Sequence, residues 1–318
     1  MPINAAAALQ KQKVSLVGQN KTAVVVGGTL GIGAATARLL AKLGCRRIII
    51  IGRNETRGRT MLQRMKELAP KESDLVVEFV KADLSDSKGM QDAARVIQET
   101  VGDAGIDYLI MTQNGTPAGR NIKENADGHD TAFAVQAISR FALAYLLTTH
   151  GGLAPNAIVM SIANQGQTLD SLDIDDLSLK AQLKAGLGAP ALFMNQSKRD
   201  SMVLDSVFEE LNVRYPQHRY YSIWPGLVKT EEFDLGLVPG YIKIMMWLGL
   251  KLFGTTPDQY ANFPVYLLLA PDAQDKLGSG KYFDRVLNPT QLGKWSKVPK
   301  NREALWEKLK EIVGVRET

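Results

Sequence analysis

Residues 24–33 read Val-Val-Val-Gly-Gly-Thr-Leu-Gly-Ile-Gly, and a helical pattern from Ala34 to Gly44 follows at once. Glycine at Gly27, Gly31 and Gly33 admits positive φ and lets backbone approach a ligand phosphate closely. The start of the following helix adds free N–H groups and the positive end of its dipole. With Thr29, Leu30 and Ile32 completing the loop, strand before and helix after point to a dinucleotide pyrophosphate rather than an ordinary glycine turn. The next β-rich segment ends in Ile51-Gly52-Arg53-Asn54. An acid there would accept both ribose hydroxyls and repel a 2′-phosphate, whereas an arginine offers that phosphate a planar fork. NADPH is therefore the expected cofactor, with Arg53 and Asn54 at its ribose, while Arg57 and Arg59 read as solvated helix residues.

Elements that position these residues alternate along the chain. Thr22–Val26, Arg47–Ile51, Leu75–Lys81, Asp107–Met111, Ala157–Ser161 and Arg219–Ile223 read as strands, and Lys281–Asp284 as a seventh. They are short, rich in Val and Ile, and apolar on both faces, as parallel strands covered on both sides are. Helical stretches lie between them at Ile32–Leu43, Thr56–Leu68, Ser87–Thr100, Thr131–Thr149 and Ala191–Asn212. This predicts an α/β, doubly wound Rossmann-type parallel sheet with helices on both faces, in a single domain over 1–318 with its core at 20–290. Gln165–Gly188 reads as a loop or short helix. Thr256 and Pro257 open a further helix to about Leu269. The apolar run Tyr241–Phe253 reads as part of a C-terminal substrate lid over 230–255, suited to a bulky apolar small-molecule substrate.

Composition bounds the partners. Hydrophobic residues make up 45% of the 318 and charged residues 22%, which argues against a largely disordered chain. The lone Cys45 excludes an internal disulfide framework and fits a reducing, cytoplasmic setting. His129, His150 and His218 are scattered without ligand spacing, so no metal site is expected. Net charge is only +5, with no dense Lys/Arg block, so nucleic acid is not an expected partner. The N-terminus lacks a signal-peptide pattern, and the Tyr241–Phe253 run, broken by lysines, falls short of the ~20 residues of a membrane span. Thr131–Thr149 is apolar around most of its circumference, more than one sheet-facing stripe requires, and this predicts a two-fold homodimer.

The glycine spacing ending in Gly31-Ile32-Gly33 resembles that of the short-chain dehydrogenase/reductase family, and further motifs follow in the family's order. Lys81-Ala82-Asp83-Leu84 is similar to the adenine-contacting segment, and Gln113-Asn114-Gly115 stands where the family has Asn-Ala-Gly. Gln196-Ser197-Lys198 matches the tail of its Tyr-x-x-Ser-Lys box. Pro225-Gly226-Leu227-Val228-Lys229-Thr230 matches Pro-Gly-x-Val-x-Thr. The resemblance implies that Asp83, Leu84, Gln113, Asn114, Gly115, Lys198, Pro225, Gly226, Val228 and Thr230 hold the cofactor. The Gly52-Arg53-Asn54 and Glu124-Asn125-Ala126-Asp127-Gly128 segments look most like fungal members.

The catalytic pattern departs from the family. Four residues before Lys198, where the resemblance requires a tyrosine acid, stands Met194, which has no transferable proton. The serine position after the fifth strand falls at Ala163 or Asn164, and Ser161 sits earlier in the strand, in a register that turns its side chain away. The family's helix asparagine aligns with Gln136. Lys198, Asn164 and Gln136 are the remaining catalytic candidates, and core filling is the plain reading of Met194. The expectation is an atypical NADPH-dependent reductase of a bulky apolar carbonyl or iminium compound, in secondary-metabolite biosynthesis. A redox-neutral cyclase or isomerase and a non-catalytic NADP-binding protein are the alternatives.

Overall fold

A computed structural model describes residues 3–115, 119–164, 166, 169, 171–229, 254–273 and 281–315. Its elements run α1 (Ala5–Lys11), β1 (Thr22–Val26), α2 (Gly31–Lys42), β2 (Arg47–Gly52), α3 (Glu55–Leu68), β3 (Val76–Lys81), α4 (Ser87–Val101) and β4 (Ile106–Met111). There follow α5 (Thr131–Thr149), β5 (Leu153–Ile162), α6 (Lys180–Lys184), α7 (Ala189–Arg214), β6 (Arg219–Ile223), α8 (Pro257–Tyr260), α9 (Asn262–Leu269), β7 (Tyr282–Phe283) and α10 (Pro299–Val313).

The strands form one parallel sheet in the order β3-β2-β1-β4-β5-β6-β7. Alternate residues of each central strand feed opposite faces, which is why both faces are apolar in sequence. Val24, Ile49, Leu109 and Val159 pack with α4, α5, α7 and α10. Ala23, Ile48, Ile110 and Met160 pack on the other face with α1, α2, α3 and α9. The chain order reverses direction between β1 and β4, the switch point where open α/β sheets take ligands at their strand C-termini.

Two helices depart from expectation. The Thr256 side chain and Gln259 form a capping box ahead of Pro257, as the Thr-Pro pair predicted, but the helix breaks at Ala261 into α8 and α9. Within α5, Ala134–Ile138 forms a π turn between α-helical ends. By length and composition α5 is apolar enough to cross a membrane, yet 72% of its apolar window is buried in the fold.

The outer face of α5, expected against a second subunit, packs instead on α10, a helix absent from the sequence reading. Trp306 of α10 sets its edge against Phe141 at 5.0 Å and Tyr145 at 5.6 Å, and Leu305, Leu309 and Val313 join the same cluster. A buried Arg302–Glu210 ion pair of 2.8 Å locks α10 to α7. The apolar excess of α5 is therefore covered within the chain.

Candidate functional site

A cleft of about 540 Å³ opens along the C-terminal ends of β1, β2, β4, β5 and β6. Of the residues expected at a cofactor or substrate, Gly27, Thr29, Leu30, Gly31, Ile32, Arg53, Asp83, Leu84, Gln113, Asn114, Gly115, Gln136, Asn164, Pro225, Gly226 and Val228 all line it. Thr230 and most of the expected lid, 230–253, lie outside the described residues.

The phosphate end is built from backbone. Gly27 holds φ at +76°, and a Cβ there would sit 2.8 Å from the Gln113 nitrogen, so the loop and the end of β4 pass too closely for a side chain. A Cβ on Gly33 would collide with Thr112 Oγ1 and the Gly27 carbonyl. Thr112 cannot retreat freely, because its hydroxyl donates to the Val26 carbonyl at 2.8 Å. Leu30 stands at the N-cap of α2 without a side-chain hydrogen bond, which leaves the first-turn N–H groups open to an anion. The buried Gln113 Oε1 has no partner either, while its Nε2 donates to Ser139 at 3.0 Å. A loop that side chains would fill, an uncapped helix start and an unpaired acceptor fit a nucleotide cofactor.

Arg53 is exposed on the cleft wall just past β2. Asn54 is not among the lining residues; its Oδ1 caps α3 by accepting from the Arg57 N–H at 3.0 Å. Asp83 lines the cleft past β3 and uses Oδ1 to accept from Ser85 N–H at 3.0 Å.

The chemical end gathers α5, β5 and α7. Gln136, in the π turn, accepts from the Gly115 N–H at 3.1 Å, and a Cβ on Gly115 would run into the Ala132 carbonyl. Asn164 Nδ2 donates to Ser197 Oγ at 2.6 Å, joining β5's end to α7. Lys198, next along α7, is half-buried and is not among the described residues that line the cleft. Met194 is 46% exposed, which removes the core-filling reading. Ser161 is buried, its hydroxyl without a partner, and lies off the cleft as its register predicted. Trp224 and Leu227 line the mouth as exposed apolar side chains.

Sequence reasoning missed a buried charge cluster on this wall. Arg140 of α5 donates to the carbonyls of Gln136 and of Ile162, the latter at 3.1 Å. Asp200 of α7 pairs with Arg199 at 2.8 Å, and Arg199 reaches Asp130 at 3.3 Å. Arg140 and Asp200 both line the cleft. Burial lowers the Arg140 guanidinium to about 9. It also pushes Asp200 up to about 6, against the opposing pull of Arg199. The sequence carries no clear signal for it, because Arg199 and Asp200 sit within the polar run Asn195–Ser201.

A family model described as short chain dehydrogenase matches residues 21–154. An oxidoreductase of Emericella nidulans is 29% identical over 240 residues, 74% of this chain and 67% of that protein. The WW domain-containing oxidoreductase of Drosophila melanogaster is 30% identical over 302 residues, 92% of this chain and 68% of the relative. Among solved structures, a short chain dehydrogenase from Burkholderia cenocepacia in complex with NADP superposes with a TM-score of 0.60 at 16% identity. That superposition covers 84% of this chain and 97% of the other, and shares the fold.

Proposed function

From the premise that the chain belongs to the short-chain dehydrogenase/reductase family, as an oxidoreductase-like enzyme that takes a nicotinamide cofactor, we propose that it uses NADPH to reduce a bulky apolar small molecule. Arg53 carries the cofactor choice: it stands at the end of β2 on the cleft wall, where a guanidinium meets a 2′-phosphate. The glycine loop and the start of α2 would hold the pyrophosphate, Asp83 the adenine end, and Gly226 and Val228 the nicotinamide end. When bound, the cofactor supplies hydride to an electrophilic carbon. Asn164 and Ser197 would orient the acceptor, and Trp224 and Leu227 would exclude water from its apolar body.

Lys198 at the nicotinamide ribose belongs to this reading through the family match and not through the cleft lining. Fungal oxidoreductase relatives and the apolar rim support a role in secondary metabolism, and the buried Cys45 accords with a reducing cytoplasm. A homodimer would have to use a face other than the one α10 covers.

The test is a pair of fluorescence titrations. NADPH should bind at least about tenfold more tightly than NADH, and Arg53→Ala should erase the difference, since a charge-assisted contact is worth roughly 1.5–3 kcal/mol. Equal affinities for the two cofactors reject the assignment. Met194 keeps a redox-neutral cyclase in play, and stoichiometry separates the two: one NADPH oxidised per product for the reductase, product without oxidation for the cyclase.

A further inference from the structure

With methionine at the family's acid position, the cleft must find its proton elsewhere or do without one. The described residues offer one carboxylate on the chemical wall that is both buried and in the lining, Asp200. Its Oδ1 accepts both bonds from Arg199, at 2.9 Å from Nε and 2.8 Å from the terminal nitrogen. Oδ2 accepts no hydrogen bond among the described residues, and Asp200 itself lines the cleft. Ser197 lies one turn earlier on the same helix and also lines the cleft. Asn164 occupies its acceptor side, which leaves its hydroxyl hydrogen free to point at a substrate oxygen.

We propose that Asp200 is the proton-carrying group of this cleft, taking over on α7 the acid role that Met194 cannot perform. The inference rests on the reductase reading above. With a ketone substrate, hydride from the reduced nicotinamide forms the new C–H bond as the carbonyl π pair moves to oxygen. The proton on Asp200 then forms the O–H bond. The carbonyl is reduced, the nicotinamide is oxidised, and Asp200 regains its proton from water.

The surroundings suit a group that changes protonation state in place. Arg199 from α7, Arg140 from α5 and Asp130 ahead of α5 are the charged groups that face it. Arg140 is pinned between two backbone carbonyls, so it cannot swing to form a closed bidentate pair with the carboxylate. Burial disfavours the ionised form while Arg199 favours it, and the balance lies near 6, within reach of a cellular pH.

The test follows Asp carboxyl carbons by ¹³C NMR in protein loaded with NADP⁺, so that no turnover intervenes, with benzophenone as the apolar ketone probe. A carboxyl titrating near pH 6 should vanish in Asp200→Asn and persist in Asp205→Asn, which removes a second buried aspartate of α7. Benzophenone should raise its midpoint by roughly half a pH unit or more, because a protonated carboxyl donates to the ketone oxygen. With NADPH, Asp200→Asn should slow benzophenone reduction by about 10²–10⁴. Asp200→Glu, which keeps an acid and moves its midpoint, makes the assignment should the asparagine variant fail to fold. No titrating carboxyl traceable to Asp200, a midpoint indifferent to the ketone, or wild-type reduction by Asp200→Asn overturns the proposal. NADPH affinity is measured on the same samples: weak binding by the wild type sinks the reductase reading, whereas retained binding with a silent Asp200 sinks only this inference.

Discussion

Trp306→Ala removes the side chain that closes the outer face of α5. Trp306 is 2% exposed, and its indole meets Phe141 edge-on at 5.0 Å and Tyr145 at 5.6 Å. The Arg214 guanidinium lies 4.8 Å from its ring centroid. Truncating a buried aromatic of this size costs about 3–5 kcal/mol, the aromatic pairs included. Set against a typical total stability of about 5–15 kcal/mol, that is roughly a fifth or more of what holds a domain folded. Urea unfolding should therefore show a large drop in midpoint, with Trp306→Phe recovering part of it. Uncovering Phe141 and Tyr145 also exposes an apolar strip, so sedimentation velocity should show self-association in the alanine variant and none through this face in the wild type. A loss under about 1 kcal/mol, with unchanged sedimentation, would mean that α10 is not the cover described here.

Gly33→Ala forces a Cβ into Thr112 Oγ1 and the Gly27 carbonyl, displacing the start of α2; NADPH affinity should fall by about tenfold or more while stability drops by about 1–3 kcal/mol. Retained affinity in a titration would show that the loop does not hold the phosphates. Asp205 is buried, accepts from the Gly166 N–H at 3.2 Å, and is pushed up to about 7 by burial. The native state therefore holds that proton more tightly than the unfolded chain, so this group's contribution to stability is full below about pH 4 and is lost as pH rises to about 7. Asp205→Asn should flatten that decline by up to a few kcal/mol in urea titrations run across pH 4–8, and an unchanged slope would place the titration elsewhere.

Much of the fold was legible because its strands are buried on both faces, which leaves a compositional mark independent of the rest of the chain. β1 and β6 have the ends read from their Val- and Tyr-rich runs. α10 escaped notice because Lys, Arg and Glu dominate it, although Leu305, Trp306, Leu309 and Val313 keep a helical stripe. The cofactor half of the site was legible because it depends on glycines in one continuous loop. The chemical half depends on α5, β5 and α7 meeting. Asp200 reads as an ordinary surface acid until the fold sets it beside Arg140.

The π turn in α5 is a phase device. A regular helix advances about 100° per residue, so one residue more or fewer in its regular stretch rotates everything after it by that angle, whereas a π turn takes up one extra residue locally. Upstream, Gln136 must face Gly115; downstream, Arg140 must reach the Ile162 carbonyl while Phe141 and Tyr145 meet Trp306. The widened turn reconciles these demands within a single rod. It follows that α5 is most sensitive to its length outside this turn: losing one residue between Ile138 and Phe141, where the winding is regular again, would swing the charged wall out of the cleft and the aromatic face off α10 together. Cofactor chemistry and the closing of the outer surface are in this sense geared to the same turn.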